Sequence, residues 1–365
     1  MDELEKKETV QDETVVDTEV PLDKNLRLMS PGMMVVRRFF RSKLSIIGLV
    51  MVISLSVFSF VCPFFLADTT GDYYTPYSDA SKWGELEKDA SGKHDYATKT
   101  ITYTVDGVEY HITQTTITSE TYNSLATPDS SHILGTDKDG YDVFVRLMYG
   151  GRISLIVSFL AVFLMTLFGV ILGGISGYFG GAIDNVIMRV CDVLTCLPGI
   201  PILLIVGTAL DNPAWGIDSE YRIYLLMTFL TFISWPGMAR LVRGQILSLR
   251  EQEYMVAAEA MGYSTGRKIF KHLVPNVMPQ LIVQMSLGLG SMILYEATLS
   301  YLNLGVKAPY AAWGSMINII TQDPAILENN WYVWVPAGVC IVIAVLGFNF
   351  VGDGLRDALD PKARR

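Results

Sequence analysis

The feature that most constrains this chain is a set of six apolar runs, each near the roughly 20 residues that carry a helix across a bilayer. They occupy residues 44–66, 153–177, 190–210, 222–242, 277–300 and 331–352. Half of the 365 residues are hydrophobic and only 18% are charged, a balance wrong for a soluble domain. The spacing therefore predicts an all-α membrane protein with six transmembrane helices. Pro198 and Pro201 interrupt the third run and Pro236 the fourth. Proline is tolerated in such spans where neighbouring helices or waters satisfy the freed carbonyls.

Lys and Arg in the short loops set the orientation. Arg37, Arg38, Arg41 and Lys43 precede the first run, and Arg243, Arg250, Arg267, Lys268 and Lys271 lie between the fourth and fifth. Arg356, Lys362, Arg364 and Arg365 follow the sixth. An even number of crossings puts all three segments on one side, which the rule makes the cytoplasm, with both termini there. The loop 211–221 has no Lys or Arg and 301–330 has only Lys307, so both fall outside. Residues 1–30 begin acidic and lack the apolar core of a signal peptide, and are expected to be a disordered cytoplasmic tail. Residues 31–43 mix apolar and basic side chains and suit an interfacial helix. Residues 353–365 are expected to form a second cytoplasmic tail.

Residues 67–142 form the expected external insert, too polar and long for a simple connection. Ile101, Tyr103 and Val105 alternate with polar residues, Asp106-Gly107 follows, and Val108, Tyr110 and Ile112 alternate again. That pattern predicts a small β-hairpin, because both central residues of a type I′ turn need positive φ. The insert reads either as a spacer or as a docking surface for an external partner.

Within the core at 150–352, Gly169, Gly173 and Gly177 recur every four residues and share a helix face, which predicts close helix packing. Glu296 lies inside an apolar run. An ionisable group there is costly and usually faces the bundle interior or a water path, so Glu296 is a candidate pathway residue or a hydrogen-bonded structural one. Asp192 and Arg189 are spaced for an i, i+3 pair. The four cysteines, Cys62, Cys191, Cys196 and Cys340, all lie in apolar runs and read as small packing residues. Four scattered histidines without a cysteine at ligand spacing predict no metal site. There is no Gly-x-x-x-x-Gly-Lys-Ser/Thr loop for ATP, no basic block for nucleic acid, and no hydrolase motif.

The most informative segment is 251–276. Ala257, Ala258, Glu259, Ala260 and Met261 are good helix formers, and Gly262 is placed to stop the helix. Ser264 or Thr265 can cap a second helix carrying Arg267, Lys268 and Lys271, expected to end near Pro275. An alanine-rich helix on the cytoplasmic face suits a groove on a soluble partner; the plain alternative is an ordinary helical loop.

Ala257-Ala258-Glu259-Ala260, then Gly262, Ile269 and Pro275, resembles the EAA loop of bacterial ABC importer permeases. Glu253-Tyr254 before it and His272-Leu273-Val274-Pro275-Asn276 after it are similar to the dipeptide, oligopeptide and nickel branch. His132-Ile133-Leu134-Gly135-Thr136-Asp137 with Gly140-Tyr141-Asp142, and Gly151-Arg152-Ile153-Ser154-Leu155, resemble the C-type subunit of that branch. So do Asp184, Arg189, Asp192 and Pro198, the stretch Glu296 to Gly305, and Gly354-Leu355-Arg356-Asp357-Ala358-Leu359-Asp360-Pro361. Tyr141 stands where that family usually has arginine, and Asn303 where it usually has glycine. The likeness covers roughly 31–66 and 131–361.

The resemblance implies a type-1 ABC importer permease fold and makes Ala257, Ala258, Glu259, Ala260 and Gly262 the ATPase-coupling residues. It implies a second homologous permease subunit, two cytoplasmic ATPase subunits that hold ATP and magnesium, and an extracytoplasmic substrate-binding protein, all in a bacterial cell membrane. The chain itself is then not an enzyme and carries no cofactor. Peptides are the expected cargo, and nickel or another small solute is the alternative. An ion-coupled secondary transporter would need paired intramembrane ionisable groups and usually an internal repeat; a structural membrane anchor is disfavoured by the prolines and intramembrane charges.

Overall fold

The computed structural model describes residues 31–66, 87–88, 95–105, 108–117, 124–130, 132–217, 219–307 and 310–359. The tail expected at 1–30 lies outside the described residues. Helix α1 (Pro31–Phe39) is amphipathic and ends just before α2 (Lys43–Phe60), where the Ser42 hydroxyl accepts the Ser45 amide at 3.4 Å as N-cap. A short α3 (Cys62–Leu66) follows.

The insert contains strands β1 (Glu87–Lys88), β2 (Asp95–Val105) and β3 (Val108–Ile117), antiparallel in the order β1-β2-β3. The register Val105↔Val108 leaves two residues to connect β2 and β3. Those two, Asp106 and Gly107, lie outside the described residues.

Helix α4 (Val143–Phe179) starts ten residues before the expected boundary, because Asp142 caps it by accepting the Val145 amide at 3.0 Å. The expected third span is not one straight helix. It is split into α5 (Gly181–Cys196) and α6 (Gly199–Leu210), bent by 79°. The cause is Pro198, which forces Leu197 into extended backbone, φ −74° and ψ 131°. Pro236, by contrast, sits inside a continuous α7 (Ser219–Arg250).

Next come α8 (Glu253–Ala260), α9 (Thr265–Arg267), a π-helical turn (Lys268–Leu273) and α10 (Val274–Tyr301). The chain closes with α11 (Trp313–Gln322), α12 (Pro324–Asn329) and α13 (Trp331–Leu359). Residues 353–359, expected as tail, continue α13. Among the described residues five helices are long and apolar enough to cross a membrane, and the bent α5–α6 pair passes the same test when taken together.

Glycines bring α4 and α7 together. A Cβ at Gly169 would stand 2.5 Å from the Met238 side chain, at Gly173 2.4 Å from the Ala239 carbonyl, and at Gly177 2.9 Å from the Arg243 carbonyl. The four-residue spacing thus marks the α4–α7 contact face. Around it, large apolar side chains such as Leu44, Ile47, Val50, Phe159, Phe163 and Val342 stay exposed. Exposed faces of that kind suit lipid rather than water. Cys191 and Cys340 are buried and Cys62 half-buried, but Cys196 is exposed at the end of α5, so it departs from the packing role; all four are free thiols.

The bundle has two chemically different ends. At one, the C-terminus of α4 meets the C-terminus of α7, where the Arg250 guanidinium donates to the Gly177 and Tyr178 carbonyls at 3.3 Å. The start of α2 reaches this end too, since a Cβ at Gly354 near the end of α13 would strike Ser45. At the other end, Arg222 in the first turns of α7 donates to the Asn303 carbonyl and to Asp211. The Tyr332 hydroxyl there donates to the Leu125 carbonyl at 2.7 Å. The α5–α6 pair carries the chain from the first end to the second.

Candidate functional site

Helix α8 hangs between α7 and α9 at the first end. Its last turn closes with the pattern that satisfies orphan helix carbonyls. The Tyr263 amide donates to the Ala258 carbonyl at 3.1 Å and the Gly262 amide to the Glu259 carbonyl at 2.9 Å. Gly262 takes φ +72°, the left-handed value that glycine adopts without a Cβ penalty. The sequence expectation of a helix stopped by Gly262 and a new helix capped at Ser264 therefore matches the backbone. Its expected end near Pro275 does not. Pro275 falls in the first turn of α10, where a missing N–H is harmless. The preceding π turn runs straight into that span, so Thr265–Tyr301 forms one continuous rod.

Two faces of α8 differ. Met255 and Ala258 are buried, and Met255 joins a core with Met238, Val242 and Ile246 of α7 and Leu273, Val277 and Leu281 leading into α10. Ala257, Glu259, Ala260 and Gly262 lie on the exposed face. Val256 and Met261 at α8 and Phe270 on the π turn are large apolar side chains that expose 62%, 62% and 76% of their surface. The Tyr263 ring stacks on His272, with centroids 5.8 Å apart, and Arg267 lies 4.2 Å over Tyr263. Lys268 stands 4.0 Å from Glu259 and 5.6 Å over the Tyr178 ring at the end of α4. Glu259 is 79% exposed, so this pair stabilises little; its use is positional. The result is a small helix rooted in α7 and α10, braced on α4, with one uncovered face.

The structure places Glu296 elsewhere. It is fully buried, and its carboxylate accepts hydrogen bonds from the Ser154 hydroxyl of α4 at 2.8 Å and from Ser300 at 2.7 Å. Ser154 in turn accepts the Trp313 amide at 3.1 Å. Glu296 thus ties α4, α10 and α11 together. Asp192 does approach Arg189, at 3.9 Å, but its shorter partner is Arg240 at 3.0 Å.

Sequence reasoning missed two further charged groups. Arg243 forks onto Asp184 at 2.5 and 2.6 Å, tying α7 to α5. Arg222 is buried among the Asn303 and Gly305 carbonyls and Asp211. The available signal was a lone arginine at the very start of an apolar run. At the same end Asp137 pairs with Arg146, and burial pushes the Asp137 carboxyl above its ordinary value while the guanidinium pulls it back.

With this geometry in view, residues 169–365 match the family model described as the binding-protein-dependent transport system inner membrane component. The chain belongs to that family. Residues 30–83 match the N-terminal TM domain of oligopeptide transport permease C. The oligopeptide transport system permease protein OppC of Bacillus subtilis is 42% identical over 248 residues, 68% of this chain and 77% of that protein. The dipeptide transport system permease protein DppC of the same organism is 43% identical over 238 residues, 65% and 71% of the two chains. A solved inward-facing MetNI methionine ABC transporter covers 59% of this chain and 96% of its own, with 21% identity and a TM-score of 0.46. The expected family and C-type subunit are those of the matches, and a transport permease component is not an enzyme.

Proposed function

We propose that this chain is the membrane-spanning permease subunit of an ATP-driven importer, bringing peptides into the cytoplasm by alternating access. The observation that carries the reading is α8: its outer face is apolar and uncovered, while Met255 on its inner face is embedded between α7 and α10. A soluble ATPase with a groove covers the outer face. When the ATPase pair closes, the short helix moves as a unit and tilts the two spans that grip Met255. Ala257 and Ala260 permit close approach of the ATPase, Ala258 lets the inner face pack closely on the bundle, Glu259 marks the rim, and Gly262 keeps the turn tight.

Orientation and partners follow from the same reading. The end with α8 also gathers Lys43, Arg250 and Arg356, and this basic grouping supports reading it as the cytoplasmic end. Both termini are then cytoplasmic. The bent α5–α6 pair counts as the sixth crossing, since it returns the chain to the end at which α7 begins, and the insert 67–142 lies outside. A second homologous permease chain faces this one, two ATPase subunits hold ATP and magnesium, and an extracytoplasmic binding protein delivers cargo. Peptide cargo is favoured by the names of the relatives; nickel or another small solute is the second reading. Glu296 holds α4 against α10 and α11 near the pathway.

The test is uptake of labelled peptides and of nickel by the complete transporter in proteoliposomes. Peptide uptake that requires both ATP and the binding protein, and that ignores an uncoupler, is expected. Uptake without ATP that an uncoupler abolishes would assign the chain to an ion-coupled mechanism instead.

A further inference from the structure

The end of the bundle away from α8 holds a cavity of about 310 Å³ that coupling does not use. Its volume falls at the small end of the range for small-molecule sites. Asp137, Lys138, Arg146, Asn303, Lys307 and Asn318 are among its walls. Asp137, Arg146 and Asn318 are 5%, 8% and 4% exposed, so the polar wall is built into the fold.

The donors and acceptors on that wall are unequal. Asp137 is largely occupied: one oxygen accepts the Asp139 and Tyr141 amides at 2.9 and 3.0 Å, and the other accepts the Arg146 guanidinium. Arg146 does have capacity. One terminal nitrogen meets Asp137, but the other reaches only the Tyr310 carbonyl, at 3.5 Å. A guanidinium offers five N–H donors, so its edge is under-used. Lys138, fixed by the Gln322 side chain, adds a second cation. Lys307 adds a third, held at 2.8 Å by Asp211, a carboxylate it shares with Arg222. Asp139 also lines the cavity, so three cations face two carboxylates, and the net positive balance with under-used guanidinium donors complements one further carboxylate.

We propose that this cavity is a carboxylate-binding site that takes the C-terminal carboxylate of a short peptide entering from outside, with Arg146, Lys138 and Lys307 as donors. The assignment rests on the orientation and cargo of the importer reading. Arg146 and Asp137 lie on the first turn of α4 and the segment before it, and Lys307 follows α10. A bound carboxylate would thus bridge the outer start of α4 and the chain that follows the outer end of α10.

The experiment uses the assembled transporter in nanodiscs without its binding protein, with trialanine and trialanine amide as probes in saturation-transfer NMR. Wild type is expected to bind the acid about tenfold more tightly than the amide, the value of one charge-assisted hydrogen bond. Acetate is expected to displace the acid, and chloride at equal ionic strength is not. Lys138→Gln and Lys307→Gln, at positions that are not buried, are expected to shrink the acid–amide ratio, and Arg146→Lys to do the same. An unchanged ratio in all three variants, or equal binding of acid and amide in wild type, overturns the proposal. ATP-driven uptake of trialanine in proteoliposomes separates the two levels. Uptake that persists without acid–amide discrimination sinks only this site, whereas absent uptake sinks the importer reading itself.

Discussion

Gly262 has open space around it: a Cβ there would meet nothing within 4 Å in this chain, so only its φ of +72° resists substitution. Left-handed backbone costs an ordinary residue roughly 1–2 kcal/mol. Gly262→Ala is accordingly expected to keep most transport, while Gly262→Trp loses it through collision with the docked ATPase; peptide uptake beside expression level checks this. Met255 is the opposite case. Truncating a buried methionine to alanine destabilises by about 2–5 kcal/mol, and here it also loosens α8 from α7 and α10. Met255→Ala is expected to retain ATP hydrolysis but move fewer peptides per ATP. At Glu296, alanine leaves the Ser154 and Ser300 hydroxyls buried without their acceptor, at about 1–3 kcal/mol each. Glu296→Ala is expected to lower the melting temperature of the purified protein well below that of Glu296→Gln, which keeps one carbonyl; equal melting temperatures would contradict the tie. The stop at Gly262 and the alanine-rich helix before it were legible in sequence because they depend on local backbone chemistry. The partners of Glu296 were not, since Ser154 lies 142 positions away and a span's rotation is set by packing.

At the scale of elements, the glycine face of α4 was legible for a physical reason: only residues without a side chain allow backbones as close as Gly173 and Ala239. Gly173→Leu is expected to force α4 from α7 and reduce the folded yield, read as a lower monodisperse fraction on size-exclusion chromatography; Gly237→Leu, where a Cβ meets nothing, is the matched control. Tight packing predicts loss for the first and tolerance for the second. Proline was only half legible. Pro198 breaks a helix with Leu197 held in extended backbone before it, whereas Pro236 sits within a continuous helix and Pro275 follows a π turn. Which outcome a proline produces depends on neighbours that a single chain of letters does not display. The π turn itself left no composition signal, yet it is what joins the loop rigidly to α10.

At the scale of the whole molecule, the two ends differ chemically. One end exposes a small apolar helix beside basic residues; the other encloses a polar cavity among buried arginines. Loop charges in the sequence predicted which segments share an end, and the helix directions agree with that grouping. The cavity was not legible, because Arg146, Lys307 and Asn318 come from three separate elements. If α8 transmits ATPase motion, damage to its exposed face must separate hydrolysis from transport while the spans remain intact. The most direct measurement is the number of peptides imported per ATP hydrolysed by the complete transporter in proteoliposomes, for wild type, Glu259→Lys and Gly262→Trp. The account predicts near-normal membrane insertion with a steep fall in that ratio for both variants. An unchanged ratio for both would contradict it.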